Sequence, residues 1–187
     1  MGLIYIGVAE TAKLLRKALK EAFPGVKFGV RSHKYAGGAS IGVAWRDGPS
    51  EALVEAITDR FRGSYFDGMI DYQGSRYAMI DGQMVRFGAD YIQTRRSFSR
   101  AMVERFVERL APGCVVCGDD DYGWGITWAD NESARRVSKA LHRHSDRLRI
   151  MPSPTAARII YCGNDGYSDV GALAVDDDEH DEGKTKQ

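Results

Sequence analysis

Three stretches of this 187-residue chain hold side chains able to ligate a metal or cradle an anion. Cys114 and Cys117 form a CxxC, with Cys162, His142 and His144 available to complete a zinc set. A metal-binding CxxC needs a turn that lets both thiolates converge on a tetrahedral ion. The two valines between these cysteines favour an extended strand, in which Cys114 and Val116 share one face and Cys117 takes the other. His142 and His144, two apart on a helix, also diverge. Ordinary strand cysteines are the better reading, and no metal site is predicted. Asp119, Asp120 and Asp121 bunch in a loop, but hard cations need several oxygens at fixed geometry, and the distal Glu of an EF-hand is missing. The stretch HKYAGGAS (33–40) is glycine-rich. It lacks the closing Lys-Ser/Thr of a phosphate loop and runs into a strand, whereas phosphate cradling uses the N–H groups of a helix N-terminus. It therefore reads as a flexible hairpin tip, and no cofactor is predicted.

No catalytic residue is nominated. None of the four histidines sits in a nucleophile motif, and acid pairs are too common at this composition for spacing to single one out. Charge is more informative. One hairpin tip carries Arg31, His33, Lys34 and Tyr35, and a second carries Asp119, Asp120 and Asp121. Opposite charge at pseudo-equivalent tips suggests a polarised binding surface able to contact phosphates or an acidic protein face. Arg95 and Arg96 stand just before a predicted helix, where cations oppose the macrodipole, so helix stability does not explain them. Tyr72, Tyr77 and Tyr91 lie nearby and could stack on bases.

The elements that must position these residues follow a repeating order. Leu14–Arg62 returns loosely as Met102–Arg147: a helix, Pro-Gly, a strand, a loop, a strand, an aspartate and a second helix. Trp45 and Trp128 each stand two residues before the aspartate, Asp47 or Asp130, that starts the second helix. Leu14, Leu15, Ala18, Leu19, Ala22 and Phe23 follow helical spacing with Thr11 as N-cap, and Pro24-Gly25 ends that helix. Val26, Phe28 and Val30, then Ile41, Val43 and Trp45, alternate as a hairpin with one buried face. Between the copies, Asp81-Gly82 predicts a type I′ hairpin joining 78–80 to 84–87. Arg158–Cys162 and Val170–Val175, around Asn164-Asp165-Gly166, predict a closing hairpin. The sum is an α+β fold of duplicated α-β-β-α units, with antiparallel sheets packed against amphipathic helices. One domain is expected over 1–175, with repeats at about 11–62 and 99–148, an inserted hairpin at 64–98 and a closing hairpin at 158–175.

At this length the chain can bury a real core. No apolar run approaches the length that spans a bilayer, and three cysteines argue for a reducing cytosol rather than a disulfide framework. A net charge of +0 hides an asymmetry. Setting aside the acidic run 176–182 and the final lysines leaves 24 bases against 20 acids on the body. Residues 176–187 read as a solvated, disordered tail.

The stretch ETAKLLRKALKEAFPGVKFGVRSHKYAGGASIGVAWRDGPSEALVEAITDRFRGSYFDGMIDY closely resembles the large polyvalent protein-associated domains of phages and conjugative elements. The likeness rests on the LRKALK…FPGVKF junction, YAGGASI, W-x-DGP and FDGMID, and VRFGADYIQTRRSFS resembles the continuation. It covers roughly residues 9–150, and the acidic tail departs from it. The resemblance implies a mobile-element setting and no catalytic residues. The leading expectation is a cytoplasmic, non-enzymatic protein that binds and inhibits or modulates a host defence complex, for example an anti-CRISPR. Its acidic groups (Asp119–Asp121, Asp176–Glu182) would occupy grooves meant for phosphates, while Arg31 and Lys34 contact an acidic surface. The alternative is a DNA- or RNA-binding accessory module using Arg31, Lys34, Tyr35, Arg95 and Arg96. An enzyme acting on nucleic acid has no supporting site.

Overall fold

Apolar residues at 8, 12, 15, 18, 19 and 22 recur at the spacing of one helix face, and in the computed structural model they become the buried side of a 15-residue helix. Residues 2–119, 123–127, 130–145 and 150–167 are described. Their elements are β1 (Ile4–Ile6), α1 (Val8–Ala22), β2 (Gly29–Tyr35), β3 (Gly38–Arg46), α2 (Glu51–Thr58), β4 (Ser64–Asp67), β5 (Tyr72–Ile80), β6 (Gln83–Phe87) and β7 (Tyr91–Ser97). Then follow α3 (Arg100–Leu110), β8 (Val115–Asp119), β9 (Gly123–Thr127), α4 (Asn131–Arg143), α5 (Pro154–Ala157) and β10 (Ile159–Asn164).

The class is α+β, and the sheets are mixed rather than purely antiparallel. β2 and β3 form a hairpin, and β7 joins the far edge of β3 in parallel. A second sheet runs β1-β6-β5-β10, with β4 on the first half of β5 and β1 parallel to β6. The Asp81-Gly82 hairpin forms as predicted, with both residues at positive φ (51° and 78°), as a type I′ turn requires. α1 packs on β2 and β3, and α2 on β7, all on one face of the three-stranded sheet. Leu15, Leu19, Ile41, Val43, Val54, Phe61 and Phe87 are fully buried between these layers. Each such side chain contributes about 1.5–3 kcal/mol by leaving water. A separate cluster joins Met102, Val103 and Val107 of α3 to Val116, Val137 and Leu141.

Several expectations are corrected. α1 begins at Val8 with Gly7 as N-cap, so Thr11 is not the cap; its hydroxyl donates back to the Ile6 and Gly7 carbonyls at 3.1 Å. β10 pairs antiparallel with β5, while 170–175, the second half of the expected closing hairpin, and the tail lie outside the described residues. The order helix–strand–strand–helix does occur twice, yet the fold does not confirm a duplication. Asp130 caps α4 through the Ser133 N–H, whereas α2 is capped at Ser50 and Asp47 accepts instead from the Ser99 N–H.

Candidate functional site

Strand register decides which charged residues share a surface. On β2, Val30 points into the core, so Arg31, His33 and Tyr35 take the outer face. On β3 the core positions Ala39, Ile41, Val43 and Trp45 leave Gly38, Ser40, Gly42 and Ala44 outside. On β7, buried Ile92 and Arg96 leave Tyr91, Gln93 and Arg95 outside. The pairings Arg31–Gly42–Gln93 and His33–Ser40–Tyr91 then run straight across the sheet. Strands lie about 4.8 Å apart, so the two outer rows of long side chains stand about 10 Å apart over a floor of small ones. At Gly42 an added Cβ would meet nothing within 4 Å, so the floor is open. The His33 and Tyr35 rings stack at 6.1 Å, and the Tyr91 hydroxyl donates to Gln73 at 3.2 Å. Arg31 and Arg95 are exposed and make no hydrogen bond or ion pair with any described residue. Lys34 belongs to the opposite side of β2, beyond the core, beside Arg86.

Arg96, adjacent to Arg95 in sequence, has a different role. It is 6% exposed. Its Nε donates to the Asp47 carbonyl (2.9 Å), Nη2 to Gly48 (2.8 Å), and Nη1 to Leu141 (3.1 Å) and His144 (2.7 Å). The guanidinium also lies over the Phe98 ring at 4.8 Å. Arg96 thus caps the C-terminal end of α4, where carbonyls face outward and a cation is favoured. The macrodipole that Arg96 meets is the negative end of α4, not the positive end of α3. Arg96 is removed from the surface set.

A family model for large polyvalent protein associated domain 29 (LPD29) matches residues 6–99. The chain belongs to the LPD29 family. The match places it among mobile-element-associated proteins. No curated protein and no solved structure matches the chain. The LPD29 stretch runs from the end of β1 to Ser99, the N-cap of α3, so it contains all three strands of the open face. It is shorter than the 9–150 expected from resemblance.

Of the acidic tip beside the LPD29 stretch, only the Asp119 backbone, at the end of β8, is described; Asp120 and Asp121 lie outside the described residues. Cys117 is exposed on extended β8 and Cys114 is partly packed against the second cluster. Among the described residues no helix is long and apolar enough to cross a membrane, and no group of three His, Cys, Asp or Glu could hold a metal. Asp165, only a turn residue in the sequence, gathers three hydrogen bonds in the fold. Its carboxylate accepts from the Tyr65 hydroxyl (2.7 Å), the Tyr72 hydroxyl (2.9 Å) and the Ser75 N–H (2.7 Å). Burial opposes its ionisation, but these bonds outweigh burial and hold the carboxyl below the usual range. Burial and the bond to Asp165 push the Tyr65 phenol up. Glu21 plays a similar part, accepting from Ser153 Oγ (2.8 Å) and from the N–H and hydroxyl of Thr155 (2.9 Å each), which ties α5 to α1. The only signal for either was an acid near Ser, Thr or Tyr, and those partners are about 90 or more residues away.

Proposed function

We propose that this LPD29 protein is a binding module of a mobile element whose β2-β3-β7 face takes single-stranded nucleic acid. The supporting observation is the channel itself: Arg31 and Arg95 on opposite rims, His33, Tyr35 and Tyr91 as stacking surfaces, and a floor without large side chains. Side chains on one face recur about every 6.8 Å along a strand, which suits successive unstacked bases. A duplex lacks exposed base faces for these rings, and an acidic peptide would use the arginines but not the aromatic pair. Fluorescence anisotropy with a labelled single strand, measured over a range of salt, tests the reading. Binding should be salt-dependent, should exceed that of the duplex, and should fall in Arg31→Ala and Arg95→Ala. No binding at low salt, or a preference for an acidic peptide, overturns it. A DNA strand and an RNA strand of one sequence tell which sugar is preferred.

The β4–β5 hairpin favours a second reading. Its tip exposes Met69 (92%), Ile70 and Phe66, which suit contact with a protein. In this reading the protein acts in the host cytoplasm, without chemistry of its own, and inhibits a nucleic-acid-handling defence complex of the CRISPR type. A pull-down of the tagged chain from a host carrying such systems should return a stoichiometric effector subunit, and a Met69→Asp/Ile70→Asp variant should lose it. Recovery of nucleic acid alone counts against this reading and for the first.

A further inference from the structure

The Gly37-Gly38 tip lacks, in sequence, the following helix that a phosphate cradle needs. The fold supplies one from elsewhere in the chain. A pocket of about 370 Å³ lies between this tip, the start of α1 and the connection from β6 to β7. Gly7 and Val8 line it, and Gly7 caps α1 with no side chain bonded to the first-turn N–H groups. The positive end of a 15-residue helix therefore faces the pocket. Lys34 and Arg86 line the same space, and neither forms a hydrogen bond or ion pair with a described residue. The Arg86 Nε is buried with no hydrogen-bond partner among the described residues, a costly state in this pocket. Two glycines keep the cradle bare. A Cβ at Gly88 would sit 2.5 Å from the Tyr5 hydroxyl and 2.9 Å from the Val8 nitrogen. One at Gly38 would sit 2.7 Å from Asp90 Oδ2.

We infer that this pocket binds the phosphate group of a nucleotide, held by the α1 N-terminus, Lys34 and Arg86. Asp90 also lines it, with Oδ2 accepting from the Ala39 N–H at 2.8 Å. A lone carboxylate beside two cations repels bare phosphate but accepts from a sugar hydroxyl, so a nucleotide fits better than inorganic phosphate. The volume is at the small end of ligand pockets, about 300–1,000 Å³, which suits one nucleotide rather than a polymer. The nucleotide is either free or the phosphorylated end of a strand, since Tyr35 borders both this pocket and the open face. The inference does not rest on strand binding by that face.

The test titrates the full chain with a nucleoside monophosphate, the matching nucleoside and inorganic phosphate, while following amide proton–nitrogen NMR signals. The monophosphate should shift Gly7, Val8, Gly38 and Gly88, and the nucleoside should not. Arg86→Gln and Lys34→Ala should each weaken the effect about tenfold or more, the loss expected for one charge-assisted contact. Unshifted amides at millimolar ligand, or equal affinity in both variants, overturn the inference. Oligonucleotides with and without a terminal phosphate separate the sources: preference for the phosphorylated strand marks a strand end, and equal binding alongside monophosphate binding marks a free nucleotide. Strand binding that survives Arg86→Gln but not Arg31→Ala separates this site from the open face.

Discussion

Arg95 and Arg96 are neighbours of one type, and the fold predicts opposite consequences for losing them. Arg96→Met keeps the volume and removes the guanidinium from four carbonyls. The bonds to Gly48 and Leu141 are buried, while those to Asp47 and His144 are partly open to solvent. Water can replace the donor at the open pair, so the buried pair sets the magnitude. A hydrogen bond from a charged donor contributes about 1.5–3 kcal/mol, which puts the loss at roughly 3–5 kcal/mol once some relaxation is allowed. For a chain of this size that lowers Tm by about 10 °C. Arg96→Lys should recover only part, because an ammonium cannot span four acceptors as a planar fork does. Arg95→Ala should change stability by less than about 0.5 kcal/mol, yet weaken strand binding and flatten the log–log salt dependence by about 0.7. Urea denaturation followed by tryptophan fluorescence, alongside anisotropy, reads both. An Arg96→Met protein within about 1 kcal/mol of wild type would refute the clamp. Arg95→Ala binding as wild type would refute the face.

Three further outcomes follow from the same structure. Gly42→Glu adds a carboxylate to an open floor, so strand binding should disappear while Tm stays within a few degrees; anisotropy and calorimetry check this. Gly63→Ala should prevent folding, because a Cβ there would overlap the Phe87 carbonyl; soluble yield and circular dichroism report it. Asp165 and Glu21 both titrate below their ordinary values of 3.8 and 4.5 in the folded protein. A depressed carboxyl stabilises the fold above its unfolded pKa and loses that contribution as pH falls through the lower folded one. Urea midpoints should therefore be flat above about pH 5 and decline below it, and Asp165→Asn should lessen the decline. An identical acid limb in that variant would show that Asp165 contributes nothing to it.

Local patterns settled much of this protein in advance. The α1 face, the β2–β3 hairpin and the Asp81-Gly82 turn depend on residues within one or two turns of each other, so periodicity and turn chemistry suffice. Kinship with the large polyvalent protein-associated domains was legible in the motifs of the first hundred residues, while the strand register separated Lys34 from Arg31, His33 and Tyr35. What the sequence could not contain was the choice of partner across long separations. Only tertiary structure joined β7 to β3 in parallel, which set Arg95 on the same face as Arg31, diagonally across Gly42 and Ala44, and turned Arg96 inward to α4. Only it set a bare helix N-terminus beside Gly38, and Asp165 among Tyr65, Tyr72 and Ser75. Such contacts depend on how whole elements bury their apolar faces together, a global minimum that no local window encodes.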